Sequence, residues 1–270
     1  MFNIFVSKIR KIRGSGNNEV SYCPERGGII TSLKLNGEEI FYFDEKTFKN
    51  KKENIRGGIP ILFPNAGELT DNKEFPNLKR HGFARNMKWK DRKTENGFEE
   101  ILVSSKKTKK SYPYNFEYRF SGEFENDSSF TLTSEIVNNE EDTELSISMG
   151  LHPYFKVSDE EKRNIKFNFE GGKLIEEQTN IWMNEGTVYI DNPKVKNSEA
   201  TLDVDIPKLG HIILDISPEY QKIWVWSVPG KDFICVEPMM SGLNGLIDNP
   251  EKIKPDGSYI AKINIKLIEN

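Results

Sequence analysis

The sequence predicts an all-β protein built from large antiparallel sheets. Apolar and polar residues alternate with a period of two along many short segments, and no segment of ordinary helix length shows the period of an amphipathic helix. Most prolines of the second half stand between these segments, which fits their exclusion from strand interiors. With about fifteen strand candidates and no break in composition, we expect one β-sandwich domain over residues 1–270.

Composition narrows the classes of protein that fit. The 17 Phe, 9 Tyr and 4 Trp supply bulky side chains for a sizeable core. A net charge of −4, from 38 basic and 42 acidic residues, gives no reason to expect a nucleic-acid partner. No run approaches the ~18 apolar residues of a membrane span, and the N-terminus lacks a secretory signal pattern, so we expect a cytoplasmic protein. Cys23 and Cys235 are expected to be buried free thiols.

The first strands are expected to form a meander between residues 17 and 43. The segments EVSYC, GIITSLKL and EEIFYF are rich in β-forming residues and are separated by the turns ERGG and LNGEE. Within the second turn, Asn36-Gly37 is a strong signal for a two-residue hairpin. The polar segment FDEKTFKNKKENIR that follows is expected to be an irregular surface loop leading to Arg56.

Further strands follow through the rest of the chain. MKWKDRKTENGFEEILVSSKKT indicates two strands joined at residues 95–97. Phe116, Tyr118 and Phe120 fall on one face of the next strand, as a sheet with one buried face requires. The second half adds RNIKFNFEGG, TVYI, ATLDVDIP, GHIILDIS, KIWVWSV, DFICVEPM and SYIAKINIKLIE.

Two neighbouring segments combine features that folding alone does not explain. IRGGIPILFPNAG, residues 55–67, sets an arginine beside two glycines and then places two prolines around an apolar run. KRHGFARNMKW, residues 79–89, sets His81 and Arg85 four positions apart. Glycines permit close backbone approach and prolines fix loop geometry, so we expect a rigid irregular surface presenting Arg56, His81 and Arg85.

The chain has three histidines, the residue type best suited to acid–base work near neutral pH. His152 ends a strand and precedes a proline and two aromatic residues, which fits either a cleft or a structural position. His81 fits either a functional loop or an ordinary surface loop. His211 enters an alternating strand beside a turn and is expected to be structural or exposed.

Glu237 is the acidic residue with the most unusual surroundings, because it follows the apolar run FICV and precedes Pro238, which is expected to end the strand. A carboxylate there would be partly desolvated, which raises its pKa and makes it a better base, although it could also simply cap a turn. The histidines and cysteines do not show the spacing of a metal site, so no metal is expected. Five aromatic residues could contact a sugar or fill the core, namely Phe63, Tyr154, Trp182, Trp224 and Trp226.

Four segments in this order, RGGIPILFP, HGFAR, LHPYF and WSVPGKDFICVEPMMSGLNGL, resemble the aldose 1-epimerase (mutarotase) family. Within it, they are most similar to the bacterial aldose-epimerase-like and hexose-6-phosphate 1-epimerase branch. The resemblance runs from about Val20 to Leu267. It implies a large antiparallel β-supersandwich, galactose mutarotase-like, with an open sugar cleft.

The resemblance also implies residue roles and partners. Glu237 matches the general base that deprotonates the anomeric hydroxyl, and His152 matches the general acid that protonates the ring oxygen. Arg56 and His81 match positions that orient the sugar. No cofactor is implied, and the expected partner is a small-molecule sugar bound by a monomer or homodimer, with no nucleic acid and no membrane.

This resemblance defines the reaction more clearly than it defines the substrate. Arg56 and Arg85 match residues that bind phosphate in the hexose-6-phosphate branch, yet a free aldose is the preferred expectation. An aspartate that grips distal sugar hydroxyls in the family has no clear match, and Asp191, Asp203 and Asp205 are the candidates. A non-catalytic carbohydrate-binding protein is the alternative from another class.

Overall fold

Antiparallel strands are the main secondary structure of this chain. The computed structural model describes residues 7–70, 72–126, 128–191 and 200–269. The strands within these ranges are β1 (Arg10–Arg13), β2 (Glu19–Cys23), β3 (Ile29–Leu35), β4 (Glu38–Glu39), β5 (Ile61–Leu62), β6 (Lys90–Lys93), β7 (Gly97–Val103), β8 (Phe116–Asn126), β9 (Ser129–Asn138), β10 (Leu145–Ile147), β11 (Gly150–Leu151), β12 (Tyr154–Lys156), β13 (Lys166–Phe167), β14 (Thr187–Asp191), β15 (Ala200–Ile206), β16 (Gly210–Ile216), β17 (Lys222–Trp226), β18 (Phe233–Met239), β19 (Glu251–Ile253) and β20 (Ser258–Ile268).

The helices of the described chain are all short. The α-helices are α1 (Glu45–Lys49), α2 (Gly172–Glu177), α3 (Thr179–Trp182) and α4 (Gly245–Asp248). Single turns of 3₁₀-helix occur at Pro24–Arg26, Ala84–Asn86 and Thr108–Lys110, with a longer one at Asp159–Asn164. Among the described residues, no helix is long and apolar enough to cross a membrane.

Two large sheets face each other across the main core. One has eight strands in the order β13-β15-β16-β20-β9-β8-β7-β6, and the other has the order β14-β17-β18-β11-β5 with β12 also paired to β18. Leu132 and Ile265 of the first sheet and Leu151 and Phe155 of the second line one small internal cavity. The predicted antiparallel β-sandwich is therefore confirmed.

Side-chain alternation explains why each sheet has one face in the core. On β8, Phe116, Tyr118 and Phe120 are all 0% exposed, as the sequence pattern predicts, because alternate residues of a strand point to the same face. On β17, Ile223 and Val225 join the main core. Trp224 and Trp226, which alternate with them, point the other way and line a cleft on the outer face of the second sheet.

The local turn predictions are confirmed at the first hairpin. β3 and β4 pair through Leu35 and Glu38 around Asn36 and Gly37. Both turn residues have positive φ, 55° and 91°, which is the backbone geometry that an Asn-Gly hairpin favours.

Two local expectations are wrong. The supposed irregular loop before Arg56 contains α1, because Asp44 caps it by accepting hydrogen bonds from the backbone N–H groups of Lys46 and Thr47. β18 continues through Pro238 to Met239, whereas the sequence suggests that the proline ends the strand. Cys23 and Cys235 are buried and free, as predicted.

Candidate active site

A cleft of about 850 Å³ lies on the outer face of the second sheet. β14, β17 and β18 form the floor of the cleft. Loops on the β5 side, which contain residues 54–56 and 80–85, form one of its walls. The charged, histidine and aromatic residues that line it are Arg56, Glu68, Arg80, His81, Arg85, His152, Tyr154, Glu185, Tyr189, Trp224, Trp226 and Glu237. All five site residues predicted from the sequence are therefore brought together in one cleft.

The sheet register places His152 beside Glu237. Gly150 pairs with Met239 and Tyr154 pairs with Cys235, so the same register continued between these pairs sets His152 opposite Glu237. The imidazole Nε2 lies 3.5 Å from Oε1 of the carboxyl group. Both residues are nearly inaccessible to solvent, at 6% and 3% exposure, so the two groups form a close, desolvated acid–base pair.

Burial changes the protonation of both groups. It raises the pKa of Glu237 to about 8, although Arg80 and Arg85 act in the opposite direction. It also lowers the pKa of His152 well below its usual value, and the neighbouring His81 and the two arginines lower it further. At neutral pH these shifts favour a pair that shares one titratable proton, with a neutral imidazole and a neutral carboxyl group in the free protein.

His81 projects into the same cleft from a strained turn. Its φ is +67°, and its Nδ1 lies 2.6 Å from the carbonyl oxygen of Ala66. A carbonyl can only accept, so Nδ1 carries the proton and Nε2 is left as a hydrogen-bond acceptor. Burial lowers the pKa of His81 to about 3, helped by the nearby Arg85 and Arg80, so the ring remains neutral at physiological pH.

Gly82 explains why the HGFAR segment needs a glycine after the histidine. Its φ is +62°, and a Cβ at this position would lie 2.0 Å from the carbonyl oxygen of Phe63. That same oxygen accepts hydrogen bonds from the backbone N–H groups of Phe83 and Ala84. The histidine-bearing turn is thus held directly against the RGGIPILFP segment, and the two segments form the expected irregular loop surface.

Three arginines line the wall of the cleft on the β5 side. Arg85 is partly buried and donates from Nη2 to the carbonyl oxygen of Ile55 at 3.2 Å. Arg56 and Arg80 are exposed. Sequence reasoning missed Arg80, since an arginine in a polar loop looks like any solvated residue. Together these side chains make this wall suitable for negatively charged or strongly polar oxygens.

The aromatic candidates divide between cleft and core. Tyr154, Trp224 and Trp226 line the cleft, whereas Phe63 and Trp182 belong to the main core. The ring of Tyr154 stacks on His152 at a centroid distance of 4.7 Å and an interplanar angle of 7°. This stacking fixes the orientation of the imidazole above the floor of the cleft.

Other predicted candidates lie away from the cleft. His211 is a structural residue on the eight-stranded sheet, where its Nδ1 lies 2.8 Å from Oδ1 of Asp203. Asp191, Asp203 and Asp205 do not line the cleft. The cleft carboxylates besides Glu237 are instead Glu68 and Glu185, which the sequence did not single out.

Cys235 lies close to the acid–base pair. His152, Cys235 and Glu237 each offer one atom that could bind a metal ion, and these three atoms lie within 4.8 Å of one another. A divalent cation there would be repelled by Arg80 and Arg85, whose charges already act on Glu237. The cluster is therefore better suited to proton transfer than to binding a metal ion.

The fold is that of galactose mutarotase-like proteins. A galactose mutarotase-like protein of Clostridium acetobutylicum matches with a TM-score of 0.74 over 98% of this chain and 99% of its own, at 18% identity. A structure of a Synechocystis sp. PCC 6803 protein matches with a TM-score of 0.79 over the whole of both chains, at 26% identity. The resemblance predicted this fold correctly.

The sequence also identifies the family. The profile described as Aldose 1-epimerase matches residues 13–262, so the chain belongs to the aldose 1-epimerase family. A protein of Cenchrus ciliaris, provisionally named glucose-6-phosphate 1-epimerase, is 33% identical over 145 residues, or 49% of this chain. The matched part spans 42% of that relative, less than half of its length.

Proposed function

We propose that this protein is an aldose 1-epimerase that interconverts the α and β anomers of a hexose. The observation that carries the proposal is the pair of His152 and Glu237, whose Nε2 and Oε1 atoms lie 3.5 Å apart on the floor of a cleft. Anomer interconversion requires one group to remove a proton while another supplies one. A protein that only binds sugars would not need such a pair.

In the proposed reaction, the carboxylate of Glu237 removes the proton from the anomeric hydroxyl O1. The imidazolium of His152 donates a proton to the ring oxygen, the bond from C1 to that oxygen breaks, and the open-chain aldehyde forms. Rotation about C1–C2 and reclosure by the reverse proton transfers give the other anomer. No proton is gained or lost overall, so the single proton shared by the pair is sufficient for both directions.

The protonation state of the free protein is consistent with this cycle once a proton has moved from Glu237 to His152. The proton on the carboxyl group must move to the imidazole before Glu237 can act as the base. The groups are already 3.5 Å apart, which is close enough for this transfer. Arg80 and Arg85 favour the ionised carboxylate but disfavour the imidazolium, so their charges do not by themselves set its direction. A base with a pKa of about 8 is well matched to the weakly acidic anomeric hydroxyl at neutral pH.

The test follows anomer equilibration of glucose and galactose by NMR. We expect acceleration by the wild type, which Glu237→Gln and His152→Ala each lower by about 10²- to 10⁴-fold. His211→Ala is the matched control, because His211 lies on the other sheet, and it should retain full activity. Sugar binding without acceleration by the wild type would instead identify a non-catalytic carbohydrate-binding protein.

A hexose 6-phosphate is the second candidate substrate, favoured by the three arginines in the cleft wall. Guanidinium groups bind phosphate oxygens through paired charge-assisted hydrogen bonds. The name of the Cenchrus ciliaris relative supports the same substrate class. The preferred proposal remains a free aldose, because neutral sugar hydroxyls can also accept hydrogen bonds from these groups.

The two substrates are distinguished by comparing glucose with glucose 6-phosphate in wild type and Arg85→Ala. If phosphate is recognised, Arg85→Ala should raise the KM for glucose 6-phosphate by about tenfold or more and change that for glucose much less. Arg92→Ala is a suitable control, since Arg92 is paired with Glu99 on the surface of β6 and β7. Equal effects on both sugars would favour the free aldose.

A further inference from the structure

We infer that the turn Pro24–Gly28 positions Arg85, and that Gly27 is the residue on which this positioning depends. The inference rests on the proposed function for its kinetic test. The turn lies outside the cleft and belongs to the PERGG segment between β2 and β3, which has no part in the proposed chemistry. Its contacts nevertheless lead directly to the arginine-bearing segment.

Two backbone hydrogen bonds join the turn to that segment. The N–H of Gly27 donates to the carbonyl oxygen of Met87 at 3.0 Å, and the N–H of Trp89 donates to the carbonyl oxygen of Pro24 at 2.9 Å. They run in opposite directions between the two stretches of chain. Because each stretch both donates and accepts, the segment that follows Arg85 is held at a fixed distance from the turn.

Gly27 also contacts Arg85 itself. Its φ is +84°, and a Cβ added to it would lie 2.1 Å from the carbonyl oxygen of Arg85 and 2.6 Å from its Cα. These atoms belong to the backbone of the 3₁₀ turn Ala84–Asn86, so they cannot move aside by a side-chain rotation. Any side chain at position 27 must therefore push the backbone of Arg85 away from the turn.

The displaced backbone would carry the guanidinium group with it. Arg85 reaches the cleft wall through the single described hydrogen bond from Nη2 to Ile55, at 3.2 Å. This bond is already at the long end of the normal range. A shift of the backbone by about 1 Å would break it and move the cation relative to a bound sugar, which is the size of misplacement that costs about a hundredfold in rate.

A third hydrogen bond lies within the arginine-bearing segment itself. The indole Nε1 of Trp89 donates to the carbonyl oxygen of Ala84 at 3.1 Å, and Trp89 is 1% exposed. This bond ties the two ends of the arginine-bearing segment together. Trp89→Phe removes the bond while preserving most of the buried ring, so it tests the same support without adding a Cβ.

The main experiment compares Gly27→Ala with Gly230→Ala. Gly230 has a similar φ of +69°, but a Cβ there meets nothing within 4 Å, so the two variants share backbone strain and differ in the collision. We expect Gly27→Ala to lower kcat/KM for the best hexose about tenfold to a hundredfold. Gly230→Ala should remain within about twofold of wild type.

A double-mutant cycle asks whether the effect passes through Arg85. In an Arg85→Ala background, Gly27→Ala should change kcat/KM by no more than about twofold, because the group that it displaces is already absent. A loss of the same factor in both backgrounds would overturn the inference in favour of a general structural role. No loss in the wild-type background would overturn it as well.

A readout without turnover keeps this inference separate from the proposed function. The side-chain N–H resonance of Arg85, assigned by its loss in Arg85→Lys, should shift in Gly27→Ala and Trp89→Phe but not in Gly230→Ala. If the wild type accelerates no sugar, the proposed function fails while this measurement still decides the positioning role. An Arg85 resonance that is unchanged in folded Trp89→Phe and Gly27→Ala would refute the positioning role of the turn. If Gly27→Ala does not fold, the result for Trp89→Phe alone tests that role.

Discussion

Replacing Glu237 by glutamine should lower the rate of anomer interconversion by about 10²- to 10⁴-fold and at the same time stabilise the fold. The carboxyl group is 3% exposed, and its burial raises its pKa to about 8. In the unfolded chain its pKa returns to about 4.3. Folding at neutral pH therefore requires the group to take up a proton or to remain charged in a desolvated place. Glutamine has nearly the same shape and avoids this cost.

The size of the effect follows from the two pKa values. Proton uptake by a group whose pKa shifts from about 4.3 to about 8 costs about 4 kcal/mol at pH 7. Because the pKa is raised on folding, the wild type loses this stability as pH rises from about 4 to about 8. The advantage of Glu237→Gln should therefore be near zero below about pH 4 and reach about 4 kcal/mol at pH 7.

Denaturant unfolding at several pH values measures this difference, and NMR of anomer equilibration measures activity on the same samples. Glu100→Gln is the matched control, because Glu100 is 0% exposed, neither of its oxygens has a partner among the described residues, and its pKa is also raised by burial. It lies on β7, away from the cleft, so it should gain stability without losing activity. A stability difference that does not change with pH would refute the desolvation argument.

Three further predictions concern pH, the loop and α1. The value of kcat/KM should fall above about pH 8, where Glu237 and His152 lose their shared proton. It should also fall on the acid side, well below pH 6.5, where the pair takes up a second proton. A rise to a plateau above pH 8 would contradict the shared-proton mechanism. Gly82→Ala should lower the free energy of unfolding, measured with denaturant, by about 3 kcal/mol or more, whereas Gly230→Ala should lower it by about 1 kcal/mol. Equal losses would show that the close approach of Gly82 to Phe63 is not the cause. Asp44→Ala should lower the unfolding free energy by about 1 kcal/mol through loss of its helix cap, with an unchanged value counting against that role.

Strand periodicity and turn residues were sufficient to predict the type of fold. The alternation in β8 and the Asn36-Gly37 turn are local signals, and each has a direct structural meaning. The helix α1 was missed because its five residues are too few to establish a period, although Asp44 supplied a capping signal. Short elements that depend on one cap remain difficult to distinguish from loops.

The candidate site depended on long-range pairing that local patterns do not encode. His152 and Glu237 become neighbours only through the register of β11 and β12 with β18. The resemblance to a family supplied this pairing in advance. It supplied nothing for Arg80, Glu68 or Glu185, since charged residues in polar loops have no pattern that separates a cleft wall from ordinary surface.

The division between sheet and loops has a consequence for changing the protein. Glu237 lies within a hydrogen-bonded strand, and His152 is flanked by two others, so the spacing of the pair is set by strand geometry. Arg56, Arg80 and Arg85 lie outside the strands, two of them in an exposed position. Exchange of residues 79–89 with those of relatives is therefore a route to new sugar preferences that leaves the proton-transfer geometry intact.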